Sequence, residues 1–227
     1  MTFWEYFLFL FKPHASSDGW VDYESLSANL PDKKTPLEDV TFYVIDIEST
    51  GLDPETDRIL SLCAIPVQQF QIRIDNMLSL RVNQDYYKSE SISIHEIMPE
   101  TDLEDGISEK EALSAFLRMA GAGIWVAHFC DLDLKLIQKA AKRHGLMRIH
   151  NPVLDTSLLL SRAVDHYRNP EMMPQGSFQL SEICKKLNIP IEDLHTADGD
   201  ALATAILFTK LVQILKKRGV KTLKELL

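Results

Sequence analysis

Three short clusters hold the side chains best suited to chemistry. The first is Asp46-Ile47-Glu48-Ser49-Thr50-Gly51-Leu52, which closes a stretch, 41–47, rich in β-branched and aromatic residues. Residues two apart on a strand face the same side, so Asp46 and Glu48 project together. Adjacent carboxylates raise each other's pKa. The pair becomes favourable once a hard divalent cation with oxygen ligands lies between them. Gly51 lets the backbone turn tightly or approach a ligand closely. The plainer reading is a strand running into a polar turn.

The second cluster is Ala127-His128-Phe129-Cys130-Asp131-Leu132-Asp133, where a short apolar segment meets a helical pattern. Asp133 falls in the first helical turn, where negative charge suits the helix dipole. Taken alone, N-terminal capping by Asp131 or Asp133 explains the same residues. The third cluster, His195-Thr196-Ala197-Asp198-Gly199-Asp200-Ala201, opens the longest helical pattern. His-x4-Asp occurs three times, at His128/Asp133, His150/Asp155 and His195/Asp200, so the spacing discriminates little. Context sets the last pair apart. His195 falls in a loop, Asp200 lies about one turn into a helix, and Ala197, Gly199, Ala201 and Ala203 allow close approach to a sheet. A loop histidine beside a capping aspartate is the simple alternative.

These clusters need a scaffold. The apolar run at 41–47 predicts a buried central strand. Further strands are expected over 58–67, 70–74, 77–82 and 124–127. Helices are expected over 108–120, where Ser108 and Glu111 match a capping box, and over 132–144, stopping at Gly145. Asp155 reads as the N-cap of the helix that follows it. Two more helices fit 178–187 and 198–217. Strands followed by helices with an interleaved strand imply an α/β domain with a mixed sheet.

Composition sets the outer limits. The 227 residues are 45% hydrophobic and 25% charged, which suits one globular domain with an appendage, or at most two small domains. The net charge of −9, from 33 acidic and 24 basic residues, argues against binding nucleic acid by bulk charge. Any such contact must be local or carried by cations on carboxylates. No apolar run reaches the ~18 residues that span a bilayer, so no integral membrane insertion is expected. Three cysteines, Cys63, Cys130 and Cys184, lack metal spacing and an even count, which points to a reducing cytoplasm.

Together and in this order, the three clusters resemble the DEDDh 3′–5′ exonuclease family, whose members include the proofreading epsilon subunit of bacterial replicative DNA polymerase. The resemblance covers about residues 40–215. Asp46 and Glu48 match its first motif, Asp133 its second, and His195 with Asp200 its third. The stretches LDPETDRIL, ISIHEIMPE, LDTSLLLSR, FQLSEICKKLNI and DALATAILF look similar too. The second motif departs from the family's usual His-Asn-x-x-Phe-Asp, with Phe129 for the Asn and Leu132 for the Phe, and Ser61 stands where a Glu is usual.

The resemblance implies a ribonuclease H-like mixed sheet flanked by helices, with an N-terminal helical extension. It also implies hydrolysis at nucleic acid 3′ ends with two Mg²⁺ or Mn²⁺. Asp46 would bridge the metals, Glu48 and Asp200 would share the metal that binds the nucleophilic water, and Asp133 would hold the second. His195 would be the general base. Thr50, Gly51, Leu52 and His128 are the substrate-binding candidates, with Leu52 either wedging against the terminal base or packing in the core. Lys135, Lys139, Lys142 and Arg143 offer phosphate contacts or form an ordinary solvated face. DNA is the expected substrate; an RNA-directed enzyme of the ribonuclease T or oligoribonuclease type and a polymerase-associated binding module are the alternatives.

Residues 1–39 read as a separate extension, an aromatic-rich helix followed by a linker, with the catalytic domain over 40–227. Eight of the nine residues from Phe3 to Phe11 are aromatic or Leu. Burial is worth roughly 25 cal/mol per Å² of apolar surface, so the segment is expected to cover itself. Its own domain, a second copy of the chain, a partner protein such as a DNA polymerase subunit and a membrane surface are the candidate covers, the last disfavoured because Lys12 is the one basic residue within 1–12. The remaining partner implied is a single-stranded or frayed 3′ end.

Overall fold

The computed structural model describes residues 23–84, 106–145, 148–190 and 193–227. The aromatic helix expected over 3–11 and the stretch ISIHEIMPE lie outside the described residues. The strands, in chain order, are β1 (Thr41–Ser49), β2 (Ile59–Gln68), β3 (Gln71–Ile72), β4 (Leu78–Arg81), β5 (Ile124–Ala127) and β6 (Val153–Asp155). The α-helices are α1 (Tyr23–Ser27), α2 (Glu109–Ala120), α3 (Asp131–Arg143), α4 (Thr156–Ala163), α5 (Leu180–Lys186), α6 (Ala197–Lys217) and α7 (Leu223–Leu226).

The strands form one mixed sheet in the order β3-β2-β1-β5-β6, with β4 also paired to β2. β1 runs antiparallel to β2 and parallel to β5, and β5 is parallel to β6. Both neighbours of β1 are strands, which explains its nearly unbroken apolar run. Phe42 and Val44 point into a core shared with α4 and α6, where the rings of Phe42 and Phe208 lie 5.0 Å apart. Ile45 and Ile47 point the other way, into a core with α2 and α3. The sheet is thus sandwiched between helices, as the expected α/β class requires. By the same alternation Asp46 and Glu48 follow Val44 onto the α6 face. A register shift between Glu48 and Ser49 breaks the ladder with β2 directly after the second carboxylate.

Local signals read from the sequence account for much of this. Ser108 and Glu111 form a reciprocal capping box at the start of α2. Asp155 caps α4 by accepting from the Ser157 N–H. Two small differences have physical causes. β6 is three residues long, too short to show periodicity, and its pairing comes from β5 alone. The helix expected from residue 178 begins at Leu180, because Gln179 is extended and Phe178 instead packs edge-on against Tyr167, 5.3 Å between ring centres.

Among the described residues, those just before β1 pack against the rest of the chain. Tyr23 is 1% exposed and belongs to the core containing Phe116, Leu117 and Trp125. Its hydroxyl donates to the Asn151 side-chain oxygen at 2.7 Å and accepts from the His150 N–H at 2.6 Å. Leu37 is fully buried, and its N–H donates to the Lys221 carbonyl. The Leu223 N–H donates to the Thr35 carbonyl, so residues just before β1 are stitched to the C-terminal segment.

Candidate active site

The end of β1 delivers two carboxylates to the α6 face, and the first turn of α6 delivers a third. Asp46, Glu48 and Asp200 each offer a carboxylate oxygen within 4.8 Å of the others. α6 can come this close because Ala197 and Ala201 lie against Cys63 and Ile65 of β2, where larger side chains would hold it away. The Thr196 hydroxyl caps the helix by accepting from the Gly199 N–H at 3.1 Å. The Ser79 hydroxyl of β4 donates to Asp198 at 2.8 Å, tying the same turn to the sheet.

Asp133 joins from α3. It is 8% exposed, its charge acts on Asp46, and the charge of Glu48 acts on it. Neither Asp131 nor Asp133 caps α3, which has no side-chain cap. Asp131 pairs with Lys135 at the surface, while Asp133 turns inward. The work of a cap falls to Asp155, whose carboxylate accepts from the N–H groups of Phe129 and Cys130 at 3.3 and 3.1 Å. Asp155 thereby fixes both the start of α4 and the turn that aims Asp133.

Burial pushes the Asp46 carboxyl well above the usual carboxylate range, reinforced by Asp133, Asp200 and Glu48. Asp133 is raised too, by burial first and then by Glu48 and Asp155. Four acidic groups gathered in this way form a site that favours bound cations. An all-oxygen donor set fits Mg²⁺ or Mn²⁺.

His195 stands in the loop before α6, exposed and with a positive φ of 68°. Its backbone N–H reaches the Asp200 carboxylate at 3.4 Å, which places the residue beside the cluster. His128 is held differently. Burial lowers its pKa, so the ring is neutral. Its Nε2–H donates to the Phe178 carbonyl at 2.8 Å, so Nδ1 accepts from the Thr156 hydroxyl at 2.8 Å. Both ring nitrogens are therefore engaged by the protein.

The turn after β1 is organised by Asp57, which is fully buried. Its carboxylate accepts from the Thr50 hydroxyl at 2.8 Å and the Asp53 N–H at 2.9 Å. A Cβ on Gly51 would fall 2.5 Å from that carboxylate, so only glycine fits. Leu52, next in the chain, is 81% exposed and takes no part in the core. The three sequence clusters do not single out Asp57. The polar run DPETD was the available signal, since a buried carboxylate must find donors in its own turn.

Three of the four basic residues on α3 are occupied: Lys135 by Asp131, Lys139 by Glu55, and Arg143 by Glu109 at 2.7 Å. They read as a paired surface rather than a phosphate track.

A family model described as "Exonuclease" matches residues 43–208. Similar curated proteins include a PolC-type DNA polymerase III of Thermotoga maritima, 32% identical over 205 residues. That match covers 90% of this chain but 14% of the relative. The PolC-type DNA polymerase III of Staphylococcus epidermidis is 33% identical over 184 residues, covering 81% of this chain and 12% of that protein. The chain thus spans about one eighth to one seventh of the length of these relatives. Similar solved structures include an exonuclease I, with TM-score 0.65, 21% identity, and coverage of 79% of this chain and 42% of that one. The Escherichia coli exonuclease I in complex with a dT13 oligonucleotide gives TM-score 0.65 at 18% identity, with the same coverages. At such identities the likeness is one of fold.

Proposed function

The chain belongs to the exonuclease family, and we propose that it is a metal-dependent enzyme releasing nucleoside monophosphates from nucleic acid 3′ ends, with DNA as its main substrate. One observation carries this reading: Asp46, Glu48 and Asp200 converge within 4.8 Å, with buried Asp133 acting on the same group. The choice of DNA leans on the relatives, which are DNA polymerases by name, and on the neighbour that holds a dT13 oligonucleotide.

Divalent cations, when bound, supply Lewis-acid polarisation of the phosphodiester and neutralise charge developing on it. Asp46, Glu48 and Asp200 would hold one, and Asp133 with Asp46 a second. His195, exposed beside Asp200, would take the proton from the attacking water. The water oxygen forms the new bond to phosphorus, and the bond to the 3′ oxygen of the preceding nucleotide breaks. The products are a nucleoside 5′-monophosphate and a strand shortened by one.

The exposure of Leu52 supports a wedge against the terminal base, with Thr50 and Gly51 shaping the turn that presents it. The two bonds of His128 support a role in steadying the second-motif turn beside the substrate. Cytoplasmic location agrees with three free thiols and with the absence, among the described residues, of a helix long and apolar enough to cross a membrane. Digestion of matched end-labelled DNA and RNA oligonucleotides with Mg²⁺ or Mn²⁺ tests the reading. Faster mononucleotide release from DNA is expected; faster release from RNA would reassign the substrate.

A further inference from the structure

We propose that Phe129 and the groove beside it seat the unpaired strand leading to the scissile end, with Phe129 stacking a nucleobase and Lys185 and Lys186 contacting backbone phosphates. This rests on the exonuclease reading above and names where the substrate's single strand would lie.

Phe129 is an unusual residue for its place. Its φ is +54°, a region where a bulky side chain costs on the order of 1–3 kcal/mol unless its surroundings hold it. Here the Asp155 carboxylate does so, through the Phe129 and Cys130 N–H groups. The ring is not repaid by burial: it stays 53% exposed and leans on His128 with centroids 4.7 Å apart. An aromatic face is thus held open to solvent at the turn that enters α3, four residues ahead of Asp133.

That face lines a groove of about 400 Å³ whose other side is Met173, Gly176, Ser177 and Gln179. The His128 bond to the Phe178 carbonyl clamps the two sides together. Met173 and Ser177 also line a second hollow of about 280 Å³, bounded by Tyr167, Glu182, Lys185 and Lys186. Because the two hollows share Met173 and Ser177, the proposed path runs from the turn beside the catalytic carboxylates to a pair of lysines. Glu182 is the one acidic residue lining it. In a chain of net charge −9, apolar and aromatic lining followed by two ammonium groups suits a strand that carries bases and phosphates on opposite edges.

Stacking of a base on an aromatic ring is worth about 1–3 kcal/mol and tolerates any base. Phe129→Ala should therefore raise KM for a 5′-labelled oligothymidylate roughly 5- to 150-fold, with kcat changed less, and Phe129→Tyr should restore most of the loss. Replacing Lys185 and Lys186 together by Ala should raise KM and flatten its dependence on salt. A second readout does not depend on turnover: the emission of Phe129→Trp, measured against the wild-type tryptophans, should be quenched by oligothymidylate. Unchanged KM in Phe129→Ala together with no quenching in Phe129→Trp would overturn the groove while leaving the nuclease reading intact. Quenching in a protein that releases no nucleotide would support the groove and sink the nuclease reading. Neither quenching nor release would sink both.

Discussion

Asp46 occupies the position where ionisation is least favourable, enclosed by the sheet and surrounded by Asp133, Asp200 and Glu48. Its folded-state pKa lies above the unfolded value of about 4, so above that pH the folded protein holds more protons than the unfolded one. Stability of the metal-free protein should therefore fall as pH rises from about 4 through the raised value. Asp46→Asn should flatten this slope and hold or raise the melting temperature in EDTA near neutral pH, while abolishing activity. Melts between pH 4 and 8 in EDTA would show it; a variant that melts lower across that range would count against a repulsive cluster. His195 carries a separable expectation. Because His195 is not among the residues whose ligand atoms converge, His195→Ala should cut turnover by roughly 10²–10⁴-fold while metal affinity by calorimetry stays nearly the same. Loss of metal binding would make it a ligand instead of a base.

At the scale of elements, the carboxylates are only as well aimed as the turns that hold them. Asp57 is fully buried and satisfies donors from Thr50 and Asp53 in the turn after β1. Asp57→Ala would leave those donors unpaired and should cost about 1–3 kcal/mol in denaturant melts, with nuclease activity reduced because the turn next to Glu48 loosens. Wild-type stability and activity would mean that the turn holds itself. Residues such as these mark the limit of what the sequence discloses. The alternation through Val44, Asp46 and Glu48 placed both carboxylates on one face, and the Ser108–Glu111 box marked the start of α2, because both are local patterns. The second duty of Asp155 depends on a turn 25 residues away in the chain, and β6 exists only because β5 offers an edge. Long-range partners of this kind leave no local signature.

For the whole molecule, the segment ahead of β1 is part of the packed body from Tyr23 onward. Tyr23 ties α1 to Asn151, whose amide donates in turn to the carbonyls of Ala120, Gly121 and Gly123. Tyr23→Ala should therefore destabilise by about 3–5 kcal/mol, the range for deleting a large buried ring, and removal of residues 1–39 should cost more because it also takes Leu37. Chemical denaturation of both would show whether the extension is separable; an unchanged midpoint for Tyr23→Ala would show that it is. The central claim concerns the joint action of β1, α3 and α6 at one end of the sheet. Its most direct test is digestion of a 5′-labelled single-stranded DNA with Mg²⁺ by the full chain. The expected result is a ladder shortening by one nucleotide at a time from the 3′ end, silenced by EDTA and absent in Asp46→Asn. Immediate release of the labelled 5′ nucleotide, or a ladder that survives EDTA or Asp46→Asn, would contradict it.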